Sequence, residues 1–89
     1  MTSDARFREF HRNNPHVYDE LVKLARRAKA AGRSRIGIRM LWERMRWEFT
    51  VETVRAAEEP KLNDHYTSKY ARLIMDSEPG LEAIFETRG

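Results

Sequence analysis

The sequence predicts a mainly α, single-domain fold of four to five helices that takes in residues 1–89. Three observations predict it. Apolar residues recur at spacings of three and four along most of the chain, which is the period of a helix with one buried side. Asparagine, proline and glycine residues separate these stretches at places where helices start and stop. A chain of 89 residues can bury one hydrophobic core and little more.

The first two helices are predicted from the residues around Asn14. A short first helix is expected to end near Asn13. Asn14 then serves as the cap of a second helix, in which Pro15 takes the first position, where its missing N–H costs nothing. Gly32 is expected to end this helix in the left-handed conformation. The buried side of the second helix consists of Val17, Leu21, Leu24, Ala25 and Ala28.

The segment 36–49 is predicted to be the central helix, because it holds both tryptophans and has apolar residues on two sides. Met40 and Trp47 lie on one side, together with Ile36. A helix that is apolar on two sides is usually packed between neighbours. The alternative is that Met40 and Trp47 form an interface with a partner, since aromatic and Met side chains are enriched in such interfaces. The predicted core side consists of Ile38, Leu41, Trp42, Met45 and Phe49.

Residues 49–62 are ambiguous between strand and helix. Phe49, Val51 and Thr53 alternate with polar residues, which favours one short β-hairpin. The competing interpretation is a helix that continues through this segment, since Ala and Glu are good helix formers. A hairpin at this place would give a winged-helix-like variant of the fold.

Two further helices are predicted toward the C-terminus. Asn63 and Asp64 are suitable cap residues for a fourth helix that reaches about Asp76. Pro79 is placed to begin a short fifth helix. The buried side of the fourth helix consists of Tyr66, Tyr70, Leu73 and Ile74, and that of the fifth consists of Leu81, Ile84 and Phe85.

Composition and spacing exclude several classes of protein. No apolar run is long enough to span a membrane and the first residues contain no signal-peptide core, so a cytoplasmic protein is predicted. The absence of cysteine excludes disulfides and thiolate metal sites. His11, His16 and His65 are not spaced as metal ligands, and no nucleophile with a base or glycine-rich phosphate loop is recognisable. We therefore expect no enzyme, and no catalytic residue, metal, cofactor or small-molecule substrate.

Basic residues are concentrated in one stretch of the chain. Residues 23–46 contain nine Lys and Arg residues and one acid, Glu43, whereas residues 47–60 and 73–89 carry an excess of acids. Such a basic surface attracts phosphates, so nucleic-acid binding is predicted. The alternative is that the acidic segments fold over the basic one and neutralise it. The residues expected to contact nucleic acid are Arg33, Arg35, Arg39, Arg44, Arg46, Lys69 and Arg72.

A helix-turn-helix arrangement of these residues is not predicted. About fifteen residues separate the third and fourth predicted helices, whereas that motif needs a tight turn between its two helices. The second helix is also longer than the first helix of that motif usually is. Among helix-turn-helix folds, only the winged-helix-like variant, with residues 49–62 as the wing, remains compatible with the sequence.

Three motifs carry a resemblance to known sequences. They are Asn-Pro-x-Val-Tyr from Asn14, Gly-Ile-Arg-x-Leu-Trp-Glu-Arg-x-Arg-Trp-Glu from Gly37, and Lys-Leu-Asn-x-x-Tyr-x-x-x-Tyr-Ala-Arg-Leu from Lys61. Together with Phe7, Phe10, His11, Pro79, Leu81, Phe85 and Arg88, they resemble a family of short hypothetical proteins from bacteriophages, prophages and bacterial genomes. The resemblance implies a shared fold and a phage or mobile-element setting, and it assigns no functional residue.

Two functions from different classes are therefore expected. The first is a small basic nucleic-acid-binding protein that acts as a phage or mobile-element regulator. The second is a protein–protein interaction module without a nucleic-acid role. It would be either a homo-oligomer, such as a homodimer, that associates through Met40 and Trp47, or a modulator of a host protein. Neither function involves a membrane.

Overall fold

A computed structural model describes residues 3–52 and 64–86 of the chain. Four α-helices make up most of this part: α1 (Ser3–Asn13), α2 (Pro15–Ala30), α3 (Ile38–Glu52) and α4 (Thr67–Ser77), with a single turn of 3₁₀ helix at Asp64–Tyr66 leading into α4. The predicted mainly helical fold is confirmed. Within these residues no helix has both the length and the apolar character that crossing a bilayer requires.

The junction between α1 and α2 lies at Asn14, as predicted, but Asn14 does not cap α2 with its side chain. Its side-chain Nδ2 instead donates back to the carbonyl of Phe10, 3.1 Å away, and its backbone N–H donates to the same carbonyl at 2.9 Å. Asn14 therefore completes the C-terminal end of α1, where carbonyl groups lack intrahelical partners. Pro15 opens α2 at the position where a proline needs no hydrogen bond.

The end of α2 follows the prediction at Gly32, which has a φ of +81°. The N–H of Arg33 donates to the carbonyl of Ala28 and that of Gly32 to the carbonyl of Lys29, both at 2.9 Å. This pair of hydrogen bonds is the Schellman motif, which needs a left-handed residue after the helix. A glycine meets that need without a steric penalty.

The core lies where α2, α3 and α4 meet. Trp42 and Met45 of α3 are completely buried, and so are Leu21 of α2 and Tyr70 of α4. The predicted core side of α3 is confirmed, with Ile38 and Phe49 at its partly buried ends. The buried residues are Val17, Leu21, Leu24, Ala25, Ile36, Leu41, Trp42, Met45, Tyr70, Ala71, Ile74, Leu81, Ile84 and Phe85.

The predicted hairpin is wrong at its start, because α3 continues through residues 49–52. Phe49 packs against the core as the next residue of the helical stripe, and the hydroxyl of Thr50 donates to the carbonyl of Arg46 at 2.8 Å. The alternation at Phe49, Val51 and Thr53 is too short to outweigh a helical stripe that already runs through the preceding three turns. The rest of the predicted hairpin, residues 53–62, lies outside the described residues.

The predicted fifth helix is also wrong, although its apolar residues Leu81, Ile84 and Phe85 are buried as expected. Residues 78–86 form turns and then an isolated parallel β-bridge between Phe85 and Ile36. Ile36 was expected inside the central helix, but it precedes α3 and uses its backbone groups in this bridge. At Ile36 and at Phe85, backbone pairing with a segment distant in sequence has replaced the hydrogen bonds of the predicted helices.

Two basic residues of α2 hold the turn at residues 78–80. The Arg26 guanidinium lies 3.1 Å from the Glu78 carboxylate and donates to the carbonyl of Pro79. The Lys29 ammonium donates to the carbonyl of Gly80, whose φ is +87°. Part of the basic surface of α2 therefore serves to position the C-terminal segment.

Candidate functional site

Two arginines from different helices line one cleft between α3 and α4, which we call the α3–α4 cleft. Arg39 lies in the first turn of α3 and Arg72 lies on the exposed side of α4. The cleft has a volume of about 370 Å³. Its lining consists of Gly37, Ile38, Arg39, Ser68, Ala71, Arg72, Met75 and Glu86. The start of α3 and the N-terminal half of α4 thus face the same space.

Two neighbouring clefts share residues with the α3–α4 cleft. One of about 830 Å³ shares Met75 and Glu86 with it and adds Arg35. The other, of about 400 Å³, shares Ser68 and Arg72 and adds Lys69. The structure therefore brings four of the predicted nucleic-acid-binding residues onto one side of the molecule: Arg35, Arg39, Lys69 and Arg72.

These four cations differ in their partners. The Lys69 ammonium donates to the Asp4 carboxylate, and this hydrogen bond, with the charge of Lys69, lowers the pKa of Asp4. Arg35, Arg39 and Arg72 form no ion pair among residues 3–52 and 64–86. Three guanidinium groups therefore remain able to bind an anion.

Carboxylates lie at both ends of this surface, since Asp4 and Asp76 line the cleft that holds Lys69 and Arg72. Asp76, Glu82 and Glu86 line the cleft of about 830 Å³ beside Arg35. The C-terminal acidic segment thus approaches the basic one, as one of the two alternatives from the sequence predicts. It does so here at Arg35, at Arg39 through Glu86 and at Arg26 through Glu78. The α3–α4 cleft contains two arginines and one acid, Glu86, so its own lining is net positive.

Arg35 adopts a backbone conformation that is unusual for a residue with a side chain. Its φ is +53°, and it is the only non-glycine with a positive φ in the part of the chain that the structure describes. A left-handed conformation costs about 1 kcal/mol or more for a residue other than Gly, Asn or Asp. The next residue, Ile36, is fixed by its β-bridge, so the turn at Arg35 is imposed by tertiary contacts.

The other predicted nucleic-acid contacts lie elsewhere. Arg44 and Arg46 are on the exposed part of α3, where Arg44 pairs with Glu48 at 2.9 Å and Arg46 pairs with Glu43 at 3.9 Å. Arg33 is exposed in the link between α2 and α3 and lines none of the three clefts. The structure does not bring these three residues into the α3–α4 cleft.

An apolar stripe on α3 faces away from the core. Met40, Trp47 and Val51 are 58%, 60% and 56% exposed, and at about 100° per residue they lie within about 40° of one another around the helix. We call them the α3 stripe. The predicted interface residues Met40 and Trp47 are thus brought together. Val51 was not among them because the alternation around it favours a strand, although its spacing of four from Trp47 is a helical signal.

Chemistry at the remaining polar groups is limited. No group of three potential metal ligands occurs within the described ranges. Three buried polar atoms, His11 Nδ1, Trp42 Nε1 and Tyr70 Oη, have no hydrogen-bond partner there. They belong to side chains that pack against one another, with the ring centroids of His11 and Tyr70 5.7 Å apart and those of Trp42 and Tyr70 5.9 Å apart. These three side chains therefore contribute to the packing of the core. Their arrangement does not pair a nucleophile with a base.

Comparison of the chain with models of known protein families, with curated proteins and with solved structures gives no match.

Proposed function

We propose that this protein is a small nucleic-acid-binding regulator that holds phosphate groups at the α3–α4 cleft. The observation that carries the proposal is the placement of Arg39 and Arg72 on one cleft, without an ion pair to any described carboxylate. Two guanidinium groups at one cleft can donate several charge-assisted hydrogen bonds to phosphate oxygens. Such contacts supply most of the affinity of proteins that bind nucleic acid without sequence preference.

The start of α3 supports phosphate binding at the same cleft. The first N–H groups of a helix lack intrahelical acceptors and carry the positive end of the helix dipole. Gly37 and Ile38 lie at that end of α3 and line the cleft beside Arg39. The hydroxyl-bearing Ser68 lies across the cleft on α4. Backbone amides, a hydroxyl and two arginines are the groups that proteins commonly use to contact the nucleic-acid backbone.

The position of Arg72 on α4 suggests how the duplex or strand would lie. Ser68 and Arg72 occupy the exposed side of the N-terminal half of α4, whereas Asp76 occupies the same side near its C-terminal end. A polyanion is attracted to the first half and repelled from the second. The bound strand would therefore cross α4 near its N-terminus and pass the start of α3.

Fluorescence anisotropy with labelled random duplex and single-stranded DNA tests the proposal. The protein is expected to bind at about 50 mM salt, with the logarithm of the affinity falling linearly with the logarithm of the salt concentration. In the variant Arg39→Ala/Arg72→Ala, the affinity is expected to fall at least about tenfold and the salt slope by roughly two. The matched control is Arg27→Ala, an exposed arginine of α2 that lines none of the three clefts.

Absence of binding at about 50 mM salt would overturn the proposal. An equal loss in the Arg27→Ala control would overturn the assignment to the cleft, because it would show attraction to the overall charge only. RNA of the same length serves as a third probe in the anisotropy experiment. The proposal also includes the phage or mobile-element setting that the sequence resemblance implies.

A second candidate function is protein–protein interaction through the α3 stripe. It is favoured by the exposure of Met40, Trp47 and Val51 on one side of a helix. Arg44 and Arg46, which flank this stripe, each pair with a glutamate of the same helix. Such an association is expected to persist at roughly 0.5 M salt, where exposed charges are screened within a few ångströms, and to weaken in Trp47→Ala. A light-scattering mass of one chain, with no protein retained by the immobilised chain, would contradict it.

A further inference from the structure

We infer that the α3 stripe pairs with the same stripe of a second copy of this chain, with the two helices antiparallel across a two-fold axis. This inference deepens the second candidate function and rests on it. It is independent of the phosphate contacts, because Arg39 and Arg72 are not part of the stripe. The choice of a second copy over any other occupant follows from the spacing of the apolar residues and from the charges beside them.

The apolar residues are self-complementary in an antiparallel register. When the two-fold axis passes α3 between Met45 and Arg46, residues whose numbers add to 91 lie at the same level along the two helices. Those on the stripe itself then lie opposite each other. Met40 then lies opposite Val51 of the second copy, and Val51 lies opposite its Met40. Trp47 lies opposite Arg44 of the second copy, where its ring can stack against the guanidinium group. Each exposed apolar side chain of the stripe is thereby covered by a residue of the same stripe or its flank.

The charges beside the stripe fit the same register. One flank carries Arg44 and Glu48, which are paired within the helix at 2.9 Å, and the other carries Glu43 and Arg46, at 3.9 Å. In an antiparallel pair, each flank lies against the same flank of the second copy, which runs in the opposite direction. Arg44 therefore approaches Glu48 of the second copy, and Glu43 approaches its Arg46. Opposite charges meet on both flanks. Isologous interfaces require this kind of self-complementarity.

The same charges argue against a polyanion or a strongly acidic protein as the occupant. The charges of the two intrahelical ion pairs beside the stripe cancel, and Arg39, one turn before Glu43, adds a single positive charge. The antiparallel direction is favoured over the parallel one because it places the two helix dipoles side by side in opposite directions. It also places the two Trp47 side chains on either side of the axis instead of directly against each other.

The expected dimer is weak. The stripe spans residues 40–51, which is about 17 Å of helix, and it offers three large apolar side chains. That is less than the roughly 800 Å² per partner of a standard interface. We therefore expect a dissociation constant of roughly 1–100 µM.

Sedimentation equilibrium in 0.5 M NaCl over a range of protein concentrations tests the association. A monomer–dimer equilibrium is expected, and Trp47→Ser is expected to weaken it at least about tenfold. Arg27→Ser, on α2, is the control and should leave it unchanged. Because Trp47 is exposed, Trp47→Ser should keep the circular dichroism spectrum and the thermal midpoint of the parent, which separates loss of dimer from loss of fold.

The register is tested by cross-linking, because the chain contains no cysteine of its own. Under mild oxidation, an equimolar mixture of the variants Met40→Cys and Val51→Cys is expected to form mainly the mixed disulfide dimer. Each variant alone should form little. Efficient cross-linking of Met40→Cys with itself would overturn the antiparallel register.

A single monomeric species at all concentrations would overturn the second copy as the occupant. If that monomer still captures a host protein in a Trp47-dependent way, the second candidate function survives and the dimer does not. If the Trp47→Ser monomer binds DNA as the parent does, the phosphate-binding proposal is unaffected. These outcomes thus distinguish failure of the proposed dimer from failure of the second candidate function and from failure of the phosphate-binding proposal.

Discussion

Ile36 and Phe85 pair as a parallel β-bridge that joins the link before α3 to the C-terminal segment. The N–H of Ile36 donates to the carbonyl of Ile84 and the carbonyl of Ile36 accepts from the N–H of Glu86, both at 2.8 Å. The two side chains are only 9% and 3% exposed. This pairing brings Arg35 and Glu86 to the rim of one cleft, so it shapes the candidate site as well as the core.

Removal of the Phe85 ring should therefore cost much of the stability of the domain. Phe85→Ala is expected to lower the free energy of unfolding by about 3–5 kcal/mol, since it leaves a cavity beside the core. That is a large part of the roughly 5–10 kcal/mol typical of a domain of this size. Urea denaturation followed by circular dichroism measures it. Phe85→Leu serves as the control and should cost clearly less, and a loss below about 1 kcal/mol in Phe85→Ala would contradict the packing.

Arg35→Gly should change stability and binding in opposite directions. Glycine adopts the φ of +53° found at Arg35 without a steric penalty, so the free energy of unfolding is expected to rise by up to about 1 kcal/mol. DNA affinity should fall, because one guanidinium group leaves the surface of the clefts. Thermal denaturation and anisotropy on the same sample check both. Arg33→Gly, in the same exposed link, is the comparison and should not be stabilising.

Tyr18→Phe should alter the response of the protein to alkaline pH. The hydroxyl of Tyr18 donates to the Glu78 carboxylate at 2.9 Å. Burial, together with Glu78, raises the pKa of Tyr18 to about 12. Folding thus favours the protonated phenol, so this contribution to stability is complete below about pH 10, the unfolded pKa, and is lost as pH rises toward 12.

At pH 7, Tyr18→Phe is expected to cost about 1.5 kcal/mol, because the hydrogen bond has a charged acceptor. Above pH 10 the variant should lose less stability than the parent, so the two curves of unfolding free energy against pH converge. Curves that remain parallel up to pH 12 would count against this assignment.

Tyr70→Phe should be neutral or stabilising by about 1 kcal/mol. The Tyr70 hydroxyl is buried without a hydrogen-bond partner among the described residues, and a buried unsatisfied polar group is costly. Burial also raises the pKa of Tyr70, so the group stays protonated. The ring itself packs edge-on against Phe7, with centroids 4.7 Å apart, and phenylalanine keeps that contact. Tyr70→Leu, which loses the ring, should instead be destabilising, and both variants can be compared by denaturation.

The sequence was most informative where local chemistry decides the structure. Gly32 takes the left-handed conformation that the end of α2 needs, and Pro15 opens that helix. The core side of α3 follows from spacing alone, because burial of an amphipathic helix selects its apolar side. For the site, composition identified the basic stretch but not which arginines share a cleft. That depends on how α3 and α4 cross.

The errors occurred where contacts distant in sequence determine the conformation. Leu81, Ile84 and Phe85 have helical spacing, yet the bridge between Ile36 and Phe85 gives this segment an extended end. A different point concerns Arg44 and Arg46, whose role in nucleic-acid binding stays a prediction. They pair with glutamates one turn away on α3. These are local contacts at spacings of three and four, which a count of charges along the chain does not register.

The sequence by itself determined the helical class, the end of α1, the limits of α2, the apolar side that forms the core and the excess of arginine before residue 47. These are properties of short segments, fixed by side-chain spacing and by the backbone preferences of Pro and Gly. Only the tertiary structure decided that Arg39 and Arg72 face one cleft, that Arg35 is held at a positive φ and that Met40, Trp47 and Val51 stay exposed. Those outcomes depend on how whole helices pack, because packing minimises exposed apolar area over the entire chain at once.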